Sequence, residues 1–425
     1  MFLHEPEEGG VDGAARASQM GLIAGVMRLL LSNGQTTERM VRAAERLGRH
    51  FGMDVAVFPG WGETGLRITI PQGSYNELVA AMPAGVDMRK VTATLSLVDE
   101  VCESGRPVDA ALAELESIAK LPPVSAVRLA SMAAAGAAAL AVVFGATQVP
   151  ELLLIAVSAG LGGLLRRGLG KLNPNLFVQP LGAALLAGLI GAAALRQIFG
   201  PMSSLAAVCP CMVLVPGPHF LNGGLDLVRG RIPLGMTRIV YASVITLMVC
   251  TGLLVGLALG GASLPVDEPT AATPLLFDAL AAGVAVLAYG SFFNMAWSML
   301  PIPVAIGMSA HALRWAVITL THASLPLGAF VACLLVGLLM TPIAERLHLP
   351  FAGCAFASVV SLIPGVFLFR MAGTLVSIVA GGGAASSNLV SSAASDGATA
   401  LVILVAMAAG LIVPKMLLEG RSERG

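Results

Sequence analysis

Apolar positions in the first part of this chain alternate with polar ones in short, readable patterns. Leu22, Ile23, Val26, Leu29 and Leu30 recur at helical spacing from residue 20 onward, and Asn33-Gly34 ends the run. Thr36 or Thr37 then stands where an N-cap belongs. The helix it opens has Val41, Ala44, Leu47 and Phe51 on one face and Glu38, Arg42 and Arg49 on the other. Two short strands are predicted at 54–58 and 65–70, separated by the turn Pro59-Gly60-Trp61-Gly62, and two amphipathic helices near 87–103 and 107–120. Pro122-Pro123 reads as a hinge. Beyond it the alternation stops, and residues 129–413 are nearly all Ala, Leu, Gly and Val with isolated polar positions.

A helix needs about 20 mainly apolar residues to cross a bilayer. On that rule the second part predicts spans near 124–147, 150–168, 175–197, 201–228 and 236–260, then 274–297, 299–320, 322–344, 350–370 and 396–417. The polar stretch 261–274 separates five spans from five. Basic residues mark the cytoplasmic loops. Arg166, Arg167 and Lys171 follow the second span, and Arg229, Arg231 and Arg238 the fourth; the loops around Gln148 and Asp267 have none, and Arg196 after the third is the exception. With the N-terminus inside, the Arg346 loop and the tail with Lys415, Arg421 and Arg424 are inside too. An odd number of spans per half then sets the two halves in opposite orientations.

Composition agrees with a membrane protein: 56% of residues are hydrophobic and 12% charged, against roughly 25% charged in an average soluble domain. The net charge of zero and the lack of a basic stretch exclude the electrostatic footprint of a nucleic-acid binder. Residues 1–12 carry Glu5, Glu7, Glu8 and Asp12 without a basic start or apolar core, so no cleaved signal is expected and the N-terminal domain belongs in the cytoplasm. The six cysteines include Cys209-Pro210-Cys211 but no second ligand pair, which favours packing residues over a metal site or a disulfide.

The expected organisation is a disordered segment 1–16, a cytoplasmic α+β domain 17–122, and a membrane repeat 123–260. A linker 261–274, a second repeat 275–418 and a tail 419–425 complete it. Two echoes support the repeat. Leu214-Val215-Pro216-Gly217 in the fourth span recurs as Leu362-Ile363-Pro364-Gly365 in the ninth, and Pro180-Leu181-Gly182-Ala183 in the third recurs as Pro326-Leu327-Gly328-Ala329 in the eighth. Proline removes a helical hydrogen bond and clashes with the preceding turn, and glycine beside it loosens the chain. Irregular backbone at membrane depth is tolerated where it is buried in protein or lines a wet cavity, and secondary transporters place their substrates at such breaks. Pro216, Gly217, Pro364 and Gly365 are therefore candidate substrate-binding positions; the plainer reading is a pair of kinks.

His219, Asn222 and Asp226 follow the first break along one helix face that continues to Arg229. Ionisable groups in membrane spans are functional candidates by default. Asn222 is a candidate substrate-binding residue, and His219 a candidate proton relay or carboxylate binder, against a structural histidine. Asp226 is a candidate proton-coupling acid, against an interfacial partner of Arg229 or Arg231. Phe367 and Arg370 hold the equivalent places of His219 and Asn222 in the second half, and Arg370 is a candidate carboxylate binder or a side chain reaching the outer surface. Asp278, Asn294, His311, Arg314 and His322 are further polar groups in or beside spans. Residues 381–395, rich in Gly, Ala and Ser, read as an outer loop or re-entrant segment. No Gly-Lys-Ser/Thr element marks a nucleotide site, so concentrative transport would draw on an ion gradient. No cofactor, metal site or catalytic residue is expected, and no nucleophile sits beside a paired base, which leaves an intramembrane hydrolase as the weaker rival and a channel as the other. Small residues Ala134, Gly136, Gly160 and Gly163 would allow close helix packing within the chain or in a homo-oligomer.

Residues 29–38, Leu-Leu-Leu-Ser-Asn-Gly-Gln-Thr-Thr-Glu, running on to Arg46-Leu47-Gly48, resemble the opening of the bacterial threonine/serine exporter family. The first Pro-Gly segment with Asn222, Asp226 and Arg229-Gly230, and the second at 362–365, are similar to the corresponding segments of that family's two membrane modules. Those modules occur fused, as here, or as separate subunits. The resemblance covers residues 20 to about 415 and implies export of threonine, serine and related small amino acids across the inner membrane, driven by the proton-motive force. His219, Phe367 and Arg370 depart from the pattern.

Overall fold

The computed structural model describes residues 11–71, 73–173, 175–196, 203–264, 273–347, 349–380 and 387–422. The chain forms two compact units, one of Met1–Pro123 with Leu225–Thr237 and one of Val124–Gly224 with Arg238–Gly425.

The first unit holds α1 (Val11–Ser32), α2 (Thr37–His50), β1 (Asp54–Phe58), β2 (Gly62–Ile70), β3 (Gly73–Ala81), α3 (Met88–Ser104) and α4 (Val108–Ala119). The three strands form an antiparallel sheet in the order β1-β2-β3. Leu66 and Ile68 of β2 turn into a core with Leu22, Ile23, Val26 and Leu30 of α1, Met40 and Leu47 of α2, and Val91 and Val98 of α3. Gly34 ends α1 in the left-handed region, φ 89°, and a Cβ there would meet the Gly85 carbonyl at 3.2 Å, so glycine is needed on both counts. Thr36 takes the N-cap place of α2, but its side chain makes no cap bond; the Gln35 side chain accepts from the Thr36 amide at 2.8 Å instead. Asp87 caps α3 by accepting from the Lys90 amide at 3.1 Å.

Two expectations need correction. Helix α1 begins at Val11, so residues 11–16 are helical and not disordered; residues 1–10 lie outside the described part. The sheet has a third strand, β3, that no apolar alternation announced, because only Val79 and Ala81 of its nine residues are buried and Leu78 is exposed.

The secondary structure of the second unit is helical throughout, with no strand among its described residues. It comprises α5 (Ala126–Val143), α6 (Val149–Leu172), α7 (Val178–Leu195), α8 (Leu205–Met212), α9 (Gly217–Val228), α10 (Ile232–Leu259), α11 (Leu275–Phe292), α12 (Pro301–Thr321), α13 (Leu325–Arg346), α14 (Phe351–Val359), α15 (Gly365–Ala380) and α16 (Ser387–Ser422), the ends of α9 and α10 nearest each other falling in the first unit. Among the described residues, eight helices are long and apolar enough to cross a membrane, or ten spans when the pairs α8/α9 and α14/α15 each count as one. The chain is a multi-pass helical membrane protein. Of the expected loop 381–395, residues 381–386 lie outside the described part and 387–395 form the first turns of α16, since Ser and Ala at this density continue a helix without a break. Most of the linker 261–274, including Asp267, and the tail residue Arg424 also lie outside it.

Close backbone approach organises the bundle. A Cβ on Gly136 of α5 would stand 2.4 Å from Ala288 of α11. Gly188 of α7 lies against the Leu253 carbonyl of α10, and Gly252 and Gly256 of α10 lie against the Leu181 and Leu185 carbonyls of α7. Gly337 of α13 and Gly410 of α16 do the same for each other's helix. Helices α5 and α11 run antiparallel: Arg128 at the start of α5 donates to Ser291 Oγ (3.1 Å) and the Met295 carbonyl (2.8 Å) past the end of α11, and Thr273 before α11 donates to the Val142 carbonyl (2.8 Å) at the end of α5.

Candidate functional site

Each Pro-Gly dipeptide interrupts its span. Helix α8 stops at Met212 and α9 starts at Gly217 with a bend of 56°; the α14 segment stops at Leu362 and α15 starts at Gly365 with a bend of 63°. Neither proline has an amide hydrogen to offer the preceding turn, and Ile363 before Pro364 is extended at φ −63°, ψ 132°. The two breaks close the same way, with a three-residue turn around each proline: Gly217 N donates to Val215 O at 3.0 Å and Gly365 N to Ile363 O at 2.8 Å.

The breaks pack on each other's half. The Phe356 ring of α14 lies so close to Gly217 that a Cβ there would fall 1.5 Å from Cζ, and Met212 of α8 lies against Gly365, where a Cβ would fall 2.9 Å from Cε. Tyr289 of α11 donates its hydroxyl to the Met212 carbonyl at 2.5 Å, one of the acceptors released where α8 ends. Its ring, with Phe293 and Phe356, forms an aromatic group with centroids 6.0 to 6.4 Å apart. Beside the second break Ser361 is buried and its Oγ has no hydrogen-bond partner among the described residues. A small polar solute entering here would meet two helix N-termini, α8's terminal carbonyls and one unused hydroxyl.

Of the side chains predicted after the first break, His219 is buried with its ring edge-on to Tyr241, centroids 5.2 Å apart, and Asn222 is buried on the same face of α9. Asp226 lies in the first compact unit, 2% exposed, where its Oδ2 accepts from Thr37 Oγ1 at 3.0 Å. Next to it Glu38 binds Arg231 at 2.8 Å, Arg42 at 3.2 Å and Arg229 at 3.5 Å, while Arg231 stands 3.9 Å from Asp226. Burial pushes the Glu38 carboxyl up, but the Arg231 hydrogen bond and the charges of Arg229, Arg231 and Arg42 outweigh it and hold the pKa below its ordinary value. The Gln35–Glu38 stretch thus does more than start a helix. Thr37 and Glu38 gather Asp226 in the last turn of α9 and the arginines that follow it.

After the second break Arg370 already holds a carboxylate, with its Nε 3.2 Å from Oδ2 of Asp396 on α16, an acid that no sequence pattern singled out. Phe367 beside it is half-buried. Asp278 of α11 and His311 of α12 meet at 2.9 Å. Asn294 adopts a left-handed conformation, φ 56°, and accepts from the Val124 amide at 3.0 Å; His322 ends α12 at φ 53°. Glu151 was also missed: it is buried in the first turn of α6 and accepts from the amide and hydroxyl of Ser203, at 2.9 and 2.5 Å. Among the described residues no three His, Cys, Asp or Glu side chains come together as a metal site would require.

Fold and site together define a multi-pass membrane protein built around two interrupted spans that meet. Residues 22–260 match the family model described as "Putative threonine/serine exporter", and residues 278–417 match a second model described as "Threonine/Serine exporter, ThrE". The chain belongs to the threonine/serine exporter family, whose members export amino acids. It is 23% identical over 384 residues to a "Probable threonine/serine exporter" of Mycobacterium tuberculosis, an alignment covering 85% of this chain and 71% of that one. No solved structure matches the chain.

Proposed function

We propose that this protein is a secondary transporter that exports threonine, serine and similar small amino acids across the inner membrane, driven by inward proton movement. Both termini lie in the cytoplasm on this reading. The observation that carries it is the reciprocal packing of the two Pro-Gly breaks, each on the fourth span of a set of five. The antiparallel α5 and α11, and the matching glycine contacts of α7 with α10 and α13 with α16, support two halves related by inversion across the membrane plane.

The amino acid binds between Pro216-Gly217 and Pro364-Gly365. Helix N-termini at Gly217 and Gly365 face its carboxylate, and the carbonyls ending α8 face its ammonium. Phe356 and Met212 cover those glycines, so substrate enters only as these side chains move aside with one half rocking against the other. Asn222 faces the same path, and His219 and Asp226 on that helix face are the coupling groups on the cytoplasmic side. Arg370 takes part by exchanging Asp396 for the substrate carboxylate. The N-terminal domain has a regulatory role, exerted through the hold of Thr37 on Asp226 and of Glu38 on Arg231.

Purified protein in liposomes loaded with labelled threonine tests the proposal. Export should rise when the outside is made acidic, unlabelled threonine outside should drive counterflow, and Pro216→Ala and Asp226→Asn should weaken the response. Efflux indifferent to the gradient and to both substitutions rejects the mechanism, and efflux without counterflow points to a pore.

A further inference from the structure

The second half contains an acid–histidine pair that the transport site does not use. Asp278 lies in the first turn of α11 and is 3% exposed; His311 lies at the middle of α12 and is fully buried. Their side chains meet at Nδ1 and Oδ2, 2.9 Å apart. A carboxylate only accepts, so Nδ1 carries the hydrogen and Nε2 presents its lone pair. That Nε2 is buried and has no hydrogen-bond partner among the described residues. Leaving an imidazole nitrogen unsatisfied inside a bundle costs roughly 1–3 kcal/mol, and ionisable groups at membrane depth mark proton and ion paths.

Among the described residues, the surroundings contain one competing charge. Arg314, one turn beyond His311, lies close enough to act on both Asp278 and His311, and its stem rests on Gly328 of α13. Of the other helices packed on α11 and α12, α5 sends Arg128 to Ser291 at the far end of α11, α14 has no charged residue, and α13 has Glu345 and Arg346 only in its last turn. Of the cysteines on these helices, Cys333 of α13 packs against Gly410 of α16, and Cys354 of α14 is buried. When His311 is neutral, the carboxylate of Asp278 is balanced by Arg314. A proton taken at Nε2 makes His311 a cation in direct contact with that carboxylate.

We propose that Asp278 and His311 form the outer proton-binding site of this protein, with Arg314 as the neighbouring positive charge. The inference rests on the proton-driven reading above and on its orientation, which puts the start of α11 at the outer face while Asp226 lies toward the cytoplasm. It supplies what an exporter run by inward protons needs: a group that loads from outside while substrate leaves.

The test uses the full chain in liposomes and two assays, threonine efflux driven by an imposed pH gradient and threonine counterflow at equal pH. Asp278→Asn and His311→Gln should each cut the gradient-driven component by about tenfold, within the usual span of coupling between two ligands, and leave counterflow near the wild-type rate. Variants that respond to the gradient like wild type overturn the inference and leave the proton-driven reading standing. A wild type indifferent to the gradient overturns that reading, and this site with it. Loss of counterflow together with the gradient response marks the pair as structural and also overturns the inference. Should a single variant not fold, Asp278→Asn with His311→Gln removes both ionisable groups, keeps a hydrogen bond between the helices, and is judged by the same outcomes.

Discussion

The two interrupted spans share a backbone and differ in the side chains that line the helix beyond each break. Both close with a glycine amide donating across a proline, and both bend by about 60°. Counting from each glycine, the first half then offers His219, Asn222 and Asp226 where the second offers Phe367, Arg370 and Thr374. Asp226 is held by Thr37 of the first compact unit, whereas Arg370 is held by Asp396 within the membrane bundle. A broken helix is fixed by two residues whose geometry needs no side-chain chemistry, so it persists while its neighbours diverge. Polar partners are free to change by half, and that asymmetry gives a transporter inner and outer faces that are not equivalent.

The largest effect is expected at Arg370. Removing one member of a buried ion pair leaves the other charge uncompensated, at a cost of about 3–5 kcal/mol. Arg370 is partly exposed, which sets the expectation at the lower end. Arg370→Met should lower the unfolding free energy by about that amount, read as a lower thermal midpoint in detergent, and Arg370→Met with Asp396→Leu should recover most of it. A single variant as stable as wild type would show that Arg370 is not held by Asp396 and is available to substrate throughout.

The breaks themselves come next. Gly217→Ala drives a methyl into the Phe356 ring, while Gly365→Ala meets the flexible end of Met212. Overpacking a tight core costs about 1–3 kcal/mol. Gly217→Ala should reach that range and abolish counterflow, Gly365→Ala should cost less, and Phe356→Ala should rescue the first. Equal effects of the two glycine substitutions would mean that the breaks are packed alike.

Thr37→Val tests the hold on Asp226 while preserving side-chain shape. Losing a hydrogen bond to a buried carboxylate costs about 1–3 kcal/mol, read as a lower thermal midpoint that Asp226→Asn does not deepen further if the two residues act as a pair.

Much of this was legible in the sequence. The positions of ten apolar runs are set by bilayer thickness, and the Pro-Gly breaks by local sterics, so both could be read from short windows. Strand β3 could not, because its outward face carries Leu78 and its inward face only Val79 and Ala81. The pairings were hidden for a different reason. Thr37 and Asp226 are 189 residues apart, and Asp278 and His311 are 33 apart on different helices. Which polar residue meets which is decided by helix rotation in the packed bundle, and spacing along one helix gives only the face each residue shares. His219, Asn222 and Asp226 do lie along one face of α9, but the partner of Asp226 came from the far end of the chain.

The smallest expected effect separates the first compact unit from the bundle by pH. Glu38 has its pKa lowered in the folded protein because Arg231, Arg229 and Arg42 outweigh the effect of burial. A lowered folded pKa contributes stability above the unfolded value of about 4.5, and the contribution is lost as pH falls below it. Glu38 is partly exposed, so screening keeps the effect small. Hydrogen exchange of α2 in the full-length protein should therefore quicken as pH falls below about 4.5, after correction for the intrinsic rate, and Glu38→Gln should remove that acid-side change while leaving α5 and α11 as they were. If the α2 amides of Glu38→Gln lose protection with acid as fully as those of wild type, the arginine cluster does not set the stability of this region, and the contrast with Arg370 and Asp396 rests on Thr37 alone.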